Sequence, residues 1–135
     1  MSAIDFINPI SLRVPTKAYS NGVLLHLGAF DLMFVTGQLS QDASGNVLHP
    51  QSAEDQARHI FSRIATILEE GGMSLDNIVK IQVFVTSIAD APAVSRVRDE
   101  LLKVSRPAST LLEVGAMVKP DCRVEIEVVA ARPTA

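Results

Sequence analysis

A chain of 135 residues, 47% hydrophobic and 20% charged, suits one domain with one core and excludes a disordered polypeptide. Tryptophan is absent, so aliphatic side chains must build that core. The net charge of −3, without a cluster of Lys and Arg, lacks the footprint of a nucleic-acid binder; no apolar run reaches the ~18 residues of a membrane helix.

Cys122 is the single cysteine, which excludes an internal disulfide and suits a reducing compartment. The start, Met1-Ser2-Ala3-Ile4-Asp5-Phe6, shows no basic segment followed by an apolar run. A soluble cytoplasmic protein with no membrane partner is the expectation. No repeat or linker divides the chain, so residues 1–135 read as a single domain. Residues 1–15, ending near Pro15, read as an irregular N-terminal arm. Val23 to Leu27 and Leu32 to Thr36 are apolar runs around Gly28-Ala29-Phe30-Asp31 and predict a hairpin. Gln41 to Asn46 reads as a polar loop turning at Gly45.

The first helix has the clearest signature. Ser52 is its N-cap, and Glu54 and Asp55 place negative charge in the first turn. Ile60, Ile64, Ile67 and Leu68 recur at helical spacing, and Gly71-Gly72 ends the helix. Ile78 to Thr86 follows as a strand. A second helix starts near Asp90, with Pro92 in its first turn and Val94, Val97, Leu101 and Leu102 as its stripe. Pro107 stops it. Ser109 to Val114 and Arg123 to Ala131 are the last strands.

The order β-β-α-β-α-β-β with two amphipathic helices predicts an α+β fold, a mixed sheet with both helices packed on one face. In Val124-Glu125-Ile126-Glu127-Val128 the side chains alternate. Val124, Ile126 and Val128 are expected to meet the helices, and Glu125 and Glu127 to share the opposite face. Leu24, Phe34 and Phe84 are expected to contribute apolar surface there. Such a face reads either as a subunit interface with polar sites in it or as a solvated antiparallel face.

Five segments resemble the reactive intermediate deaminase (RidA/YjgF) superfamily in register. They are Phe34-Val35-Thr36-Gly37-Gln38-Leu39, Gln56 at the helix opening, Glu69 to Gly72 with Ile78-Val79-Lys80, Pro107-Ala108-Ser109-Thr110, and Val124 to Glu127. The resemblance spans Tyr19 to Ala131. It implies a chorismate-mutase-like fold, a homotrimer whose sheets form a central barrel, and small-molecule sites in clefts between subunits. It further implies hydrolysis of reactive imines or enamines without cofactor or metal.

The resemblance also assigns residues. Glu125 matches the carboxylate that orients the attacking water, with a structural interface carboxylate as its other reading. Thr36 matches a hydroxyl that contacts ligand, and Gly37 beside it allows close backbone approach. Ser109 stands where the family carries an arginine that clamps the substrate carboxylate, so the chain resembles an arginine-lacking member. Ser109 and Thr110 would hydrogen-bond a neutral ligand or simply cap strand edges. Arg106, three positions before Ser109, is expected on the opposite strand face, and Arg123 is a further arginine that could reach the site. Tyr19 resembles a site tyrosine, or is a loop aromatic packing at the interface. Leu111 and Ser95 replace a family cysteine and asparagine. His26, His49 and His59 show no metal spacing. The function expected is hydrolytic deamination of an atypical imine or enamine, or alternatively a non-catalytic metabolite-binding trimer. Ribonuclease activity fits the acidic composition least.

Overall fold

The apolar stripe of the first helix lies against a six-stranded mixed sheet. The structure is a computed structural model that describes residues 2–134. Its strands are β1 (Ile4–Ile7), β2 (Gly22–His26), β3 (Phe30–Leu39), β4 (Ile78–Val85), β5 (Ala108–Glu113) and β6 (Val124–Pro133), in the spatial order β1-β2-β3-β6-β4-β5. Neighbours run antiparallel except β4 and β5, which run parallel. Parallel strands need a crossover. Helix α2 (Ala91–Leu101) carries the chain from β4 to β5, and α1 (Ala53–Glu70) carries it from β3 to β4.

The expected order lacked one strand. Residues 1–15 are not irregular throughout, because Ile4 to Ile7 pair with Leu25 to Gly22. His26 fixes this edge: its Nε2 meets Asp5 at 2.8 Å and its Nδ1 meets Asp31 at 3.0 Å. The hydrogen bonds to Asp5 and then Asp31 raise the His26 pKa above its ordinary value.

Local sequence explains α1 well. Ser52 accepts a hydrogen bond from the Asp55 amide at 3.1 Å. Gly72, at φ 79°, takes the left-handed turn that ends the helix. Ile60, Ile64 and Ile67 are fully buried with Met33, Val35, Ile81, Val83 and Ile126. Each buried isoleucine contributes roughly 1.5–3 kcal/mol. α2 follows a 3-10 turn at Ile88–Asp90. It carries Pro92 in its first turn and buries Val94 and Val97.

Alternation along β6 gives the sheet two different faces. Val124, Ile126 and Val128 are buried beneath the helices. Glu125 is paired with Phe84 and Glu127 with Gln82, on the opposite, open face. Phe34 lies on that face, 47% exposed. Leu24 does not: it pairs with Met33, is buried, and belongs to the helix side. The run Val23-Leu24-Leu25 is apolar at every position, so its phase was set by pairing and not by pattern.

Gln56 shows how α1 is tied to the sheet. Its side chain accepts from the Arg123 amide at 2.7 Å and donates to the carbonyls of Asp121 at 2.9 Å and Leu48 at 3.2 Å. Buried partners left unsatisfied are costly. Gln56→Leu is therefore expected to lose about 2–4 kcal/mol in urea denaturation, against less than about 0.5 kcal/mol for exposed Ser62→Ala.

Candidate active site

The site begins with one extra residue in β3. Val35 pairs with Val128 and Gln38 with Ile126, so Thr36 and Gly37 together oppose Glu127. Such a bulge re-aims side chains. Val35 and Gln38, three positions apart, both face the helices. Thr36 and Gly37 are left at the open side, and next to them Leu39 pairs with Glu125.

A cavity of about 320 Å³ opens at this bulge, lined by Tyr19, Thr36, Gly37, Gln38, Arg63 and Glu125 among others. Four of the residues singled out in the sequence meet here: Glu125, Thr36, Gly37 and Tyr19. The Thr36 hydroxyl donates to the Ser20 carbonyl at 2.6 Å, which leaves its oxygen able to accept. Tyr19 is 57% exposed at the cavity mouth. A Cβ on residue 37 would lie 2.5 Å from Glu125 Oε2, inside van der Waals contact. Gly37 thus makes room for the carboxylate of its own chain.

Glu125 is half-buried. No group among the described residues hydrogen-bonds its carboxylate. Burial first, and repulsion from Glu127 second, push its pKa above the usual glutamate value. A carboxyl raised in this way keeps its proton to a higher pH than a free glutamate, the direction that suits a group passing a proton back and forth.

Arg63 was not anticipated. It sits on the buried stripe of α1, only 4% exposed. Its Nε donates to Gln38 Oε1 at 3.2 Å and its Nη1 to the Gln41 carbonyl at 2.9 Å. Gln38 in turn donates to the Thr36 carbonyl at 2.9 Å. The signal was present in the sequence: Arg63 falls between Ile60, Ile64 and Ile67 at core spacing, where a charge is out of place.

Ser109 and Thr110 do not join this cavity. β5 pairs Ser109 with buried Ile81 and Thr110 with Gln82, so the two face opposite sides. Ser109 accepts from Arg98 Nη1 at 3.1 Å and lines a separate cleft of about 490 Å³ with Lys103 and Arg106. Arg106 was expected to face away from Ser109. It lies in the same cleft, because its φ of 47° breaks the extended register. Thr110 meets Lys80 Nζ at 3.3 Å. Arg123 is engaged elsewhere, with the Pro50 carbonyl at 2.9 Å and Asp90 at 3.5 Å.

A mixed sheet with two crossover helices on one face, and a small cavity lined by a half-buried carboxylate and a buried arginine, define an α+β domain with one candidate small-molecule site at the β3 bulge. The chain belongs to the Endoribonuclease L-PSP family, the RidA/YjgF family, which it matches over residues 11–132. It is similar to the 3-aminoacrylate deaminase RutC of Acinetobacter baylyi. The two are 36% identical over 102 residues, covering 76% of this chain and 80% of that protein. The crystal structure of the Rid-family protein YyfA from Yersinia pestis has a TM-score of 0.84 at 27% identity, over 95% of this chain and 98% of that one. The same fold appears in E. coli TdcF with bound serine, with a TM-score of 0.80 at 24% identity, over 95% and 98% of the two chains.

The raised pKa of Glu125 fixes the sign of its effect on stability. The folded state binds this proton more tightly than the unfolded state. Stability is therefore lost as pH rises from the ordinary glutamate range through the raised value. Glu125→Gln removes that loss: its melting temperature should exceed that of the wild type at pH 7 and match it at pH 4. An equal difference at both values in thermal melts would contradict the assignment.

Proposed function

We propose that the chain is a hydrolytic deaminase, converting a reactive imine or enamine and water to a carbonyl compound and ammonia. The observation that carries this reading is Glu125, a half-buried and unpaired carboxyl pressed against Gly37 in a small cavity. The similarity to a 3-aminoacrylate deaminase supports it.

The chemistry needs few groups. An imine is activated by a proton at its nitrogen, and an enamine by a proton from solvent at the carbon β to nitrogen. Both give the same iminium, whose nitrogen-bearing carbon is electrophilic. Glu125 accepts a proton from the attacking water as the carbon–oxygen bond forms. The resulting carbinolamine then expels ammonia, with Glu125 returning the proton to the leaving nitrogen. The Thr36 oxygen can hold a donor on the substrate. No step calls for a cofactor. General acid–base catalysis of this kind contributes typically ~10²–10⁴-fold.

The complete site, in this reading, lies between subunits of a homotrimer. The open sheet face supports this, since Phe34 and Leu112 stand exposed there, and apolar area of this kind marks an interface. Ser109 takes the place of the family's carboxylate-clamping arginine, so the substrate is bound differently from a simple 2-imino acid.

Ammonia release from 2-aminoacrylate and 3-aminoacrylate is the test. The wild type should exceed buffer with at least one of them, and Glu125→Gln should lower kcat/KM by about 10²–10³-fold. Light scattering should give three times the chain mass. No rate with either compound at high enzyme removes the deaminase reading. A melting temperature raised by a metabolite would then support the non-catalytic binding trimer.

A further inference from the structure

We propose that Arg63 anchors the anionic end of the ligand in the Glu125 cavity, which makes a small carboxylate the class of molecule the cavity takes. This inference rests on the proposed site and specifies its substrate.

A guanidinium in a protein interior costs several kcal/mol unless an anion meets it. Arg63 is 4% exposed, yet both of its acceptors, the Gln38 side chain and the Gln41 carbonyl, are neutral. No carboxylate among the described residues lies within ion-pair distance of it. Its Nη2 has no hydrogen-bond partner among those residues. Burial alone pushes its pKa below the usual arginine value, as expected of a cation with no counter-charge nearby. Arg63 nevertheless lines a cavity that opens to solvent. The missing counter-charge therefore has a route in from outside.

Glu125 lines the same cavity without pairing with Arg63. The space of about 320 Å³ that both line equals roughly ten waters at ~30 Å³ each, enough for a ligand of a few heavy atoms. A molecule with its carboxylate at Arg63 would extend its other end toward Glu125, the group proposed to manage the water. Arg13 and Lys119 also line the cavity, and their charges favour an anion over a cation. Two nitrogens of Arg63 are held by the protein and the third is not, so the fork is already oriented before ligand arrives.

Arg63 could instead serve only to brace Gln38 and the Gln41 loop. Two substrates separate the roles: 3-aminoacrylate and its neutral carboxamide. Arg63→Met should raise KM for 3-aminoacrylate by about 10²-fold, change kcat by less than about threefold, and leave the carboxamide within about threefold. Arg63→Lys should recover part of the KM. An equal loss on both substrates overturns the proposal. A second measurement needs no turnover. Pyruvate titrated into wild type should raise the melting temperature, and should fail to do so in Arg63→Met. Should the Met variant not fold, Arg63→Lys should weaken pyruvate binding at least tenfold by calorimetry. Absence of a pyruvate effect in wild type, or an undiminished effect in the variants, defeats the Arg63 assignment. Inertness toward both enamines defeats only the deaminase reading, and the titration still decides on Arg63.

Discussion

One residue more in β3 than in β6, between Val35 and Gln38, is the constraint on which the site depends. Strand side chains alternate with a period of two, so residues three apart should face opposite ways. The bulge cancels that rule once. It keeps Val35 in the core and turns Gln38 toward α1, where Arg63 meets it at 3.2 Å. It also leaves the bare backbone of Gly37 facing the Glu125 carboxylate. A regular strand would have put Gln38 on the open face, with no acceptor beneath α1 for the Arg63 Nε.

α1 acts as the clamp that holds this geometry. Gln56 and Arg63 are seven positions apart, close to two helical turns, and so project from one face. Gln56 fixes the start of β6 through the Arg123 amide, two residues from Glu125. Arg63 fixes the end of β3 through Gln38 and the Gln41 carbonyl. The two strands that frame the cavity are thus positioned by one rigid element, whose own place is set by the buried row of Ile60, Ile64 and Ile67. Core packing and site geometry are consequently coupled. A core change that shifts α1 moves both the carboxylate and the guanidinium.

What could be read from the sequence was local. The cap and stop of α1, the alternation of β6 and the Thr36-Gly37-Gln38 segment are all patterns within about ten residues. β1 was hidden because its pairing with β2 bridges more than a dozen intervening residues and its four positions carry no turn signal. Leu24 was misplaced because an unbroken apolar run has no phase of its own. Ser109 and Thr110 were assigned together, although neighbours on a strand necessarily face opposite sides. Arg63 does not stand out by pattern, because a helical stripe is defined by its apolar members. The informative position was the polar one among them.

The contrast between Arg63 and Arg98 shows why burial and partners outweigh sequence proximity in locating an anion site. Arg98 touches Ser109, the position that matches the family arginine, and lines the larger cleft. Its Nε and Nη2, however, both donate to Asp99, at 3.1 and 2.9 Å. Its charge is already answered by a carboxylate at the surface, where such a pair contributes little to stability. An incoming anion would have to displace Asp99 or share the guanidinium with it. Arg63 faces no such competition. Its desolvation has been incurred in folding, its nearest acceptors are uncharged, and the carboxylate that shares its cavity is itself held toward the neutral form by burial. A ligand carboxylate placed there would supply the anion Arg63 lacks and, like Glu127, would hold Glu125 further toward its protonated form.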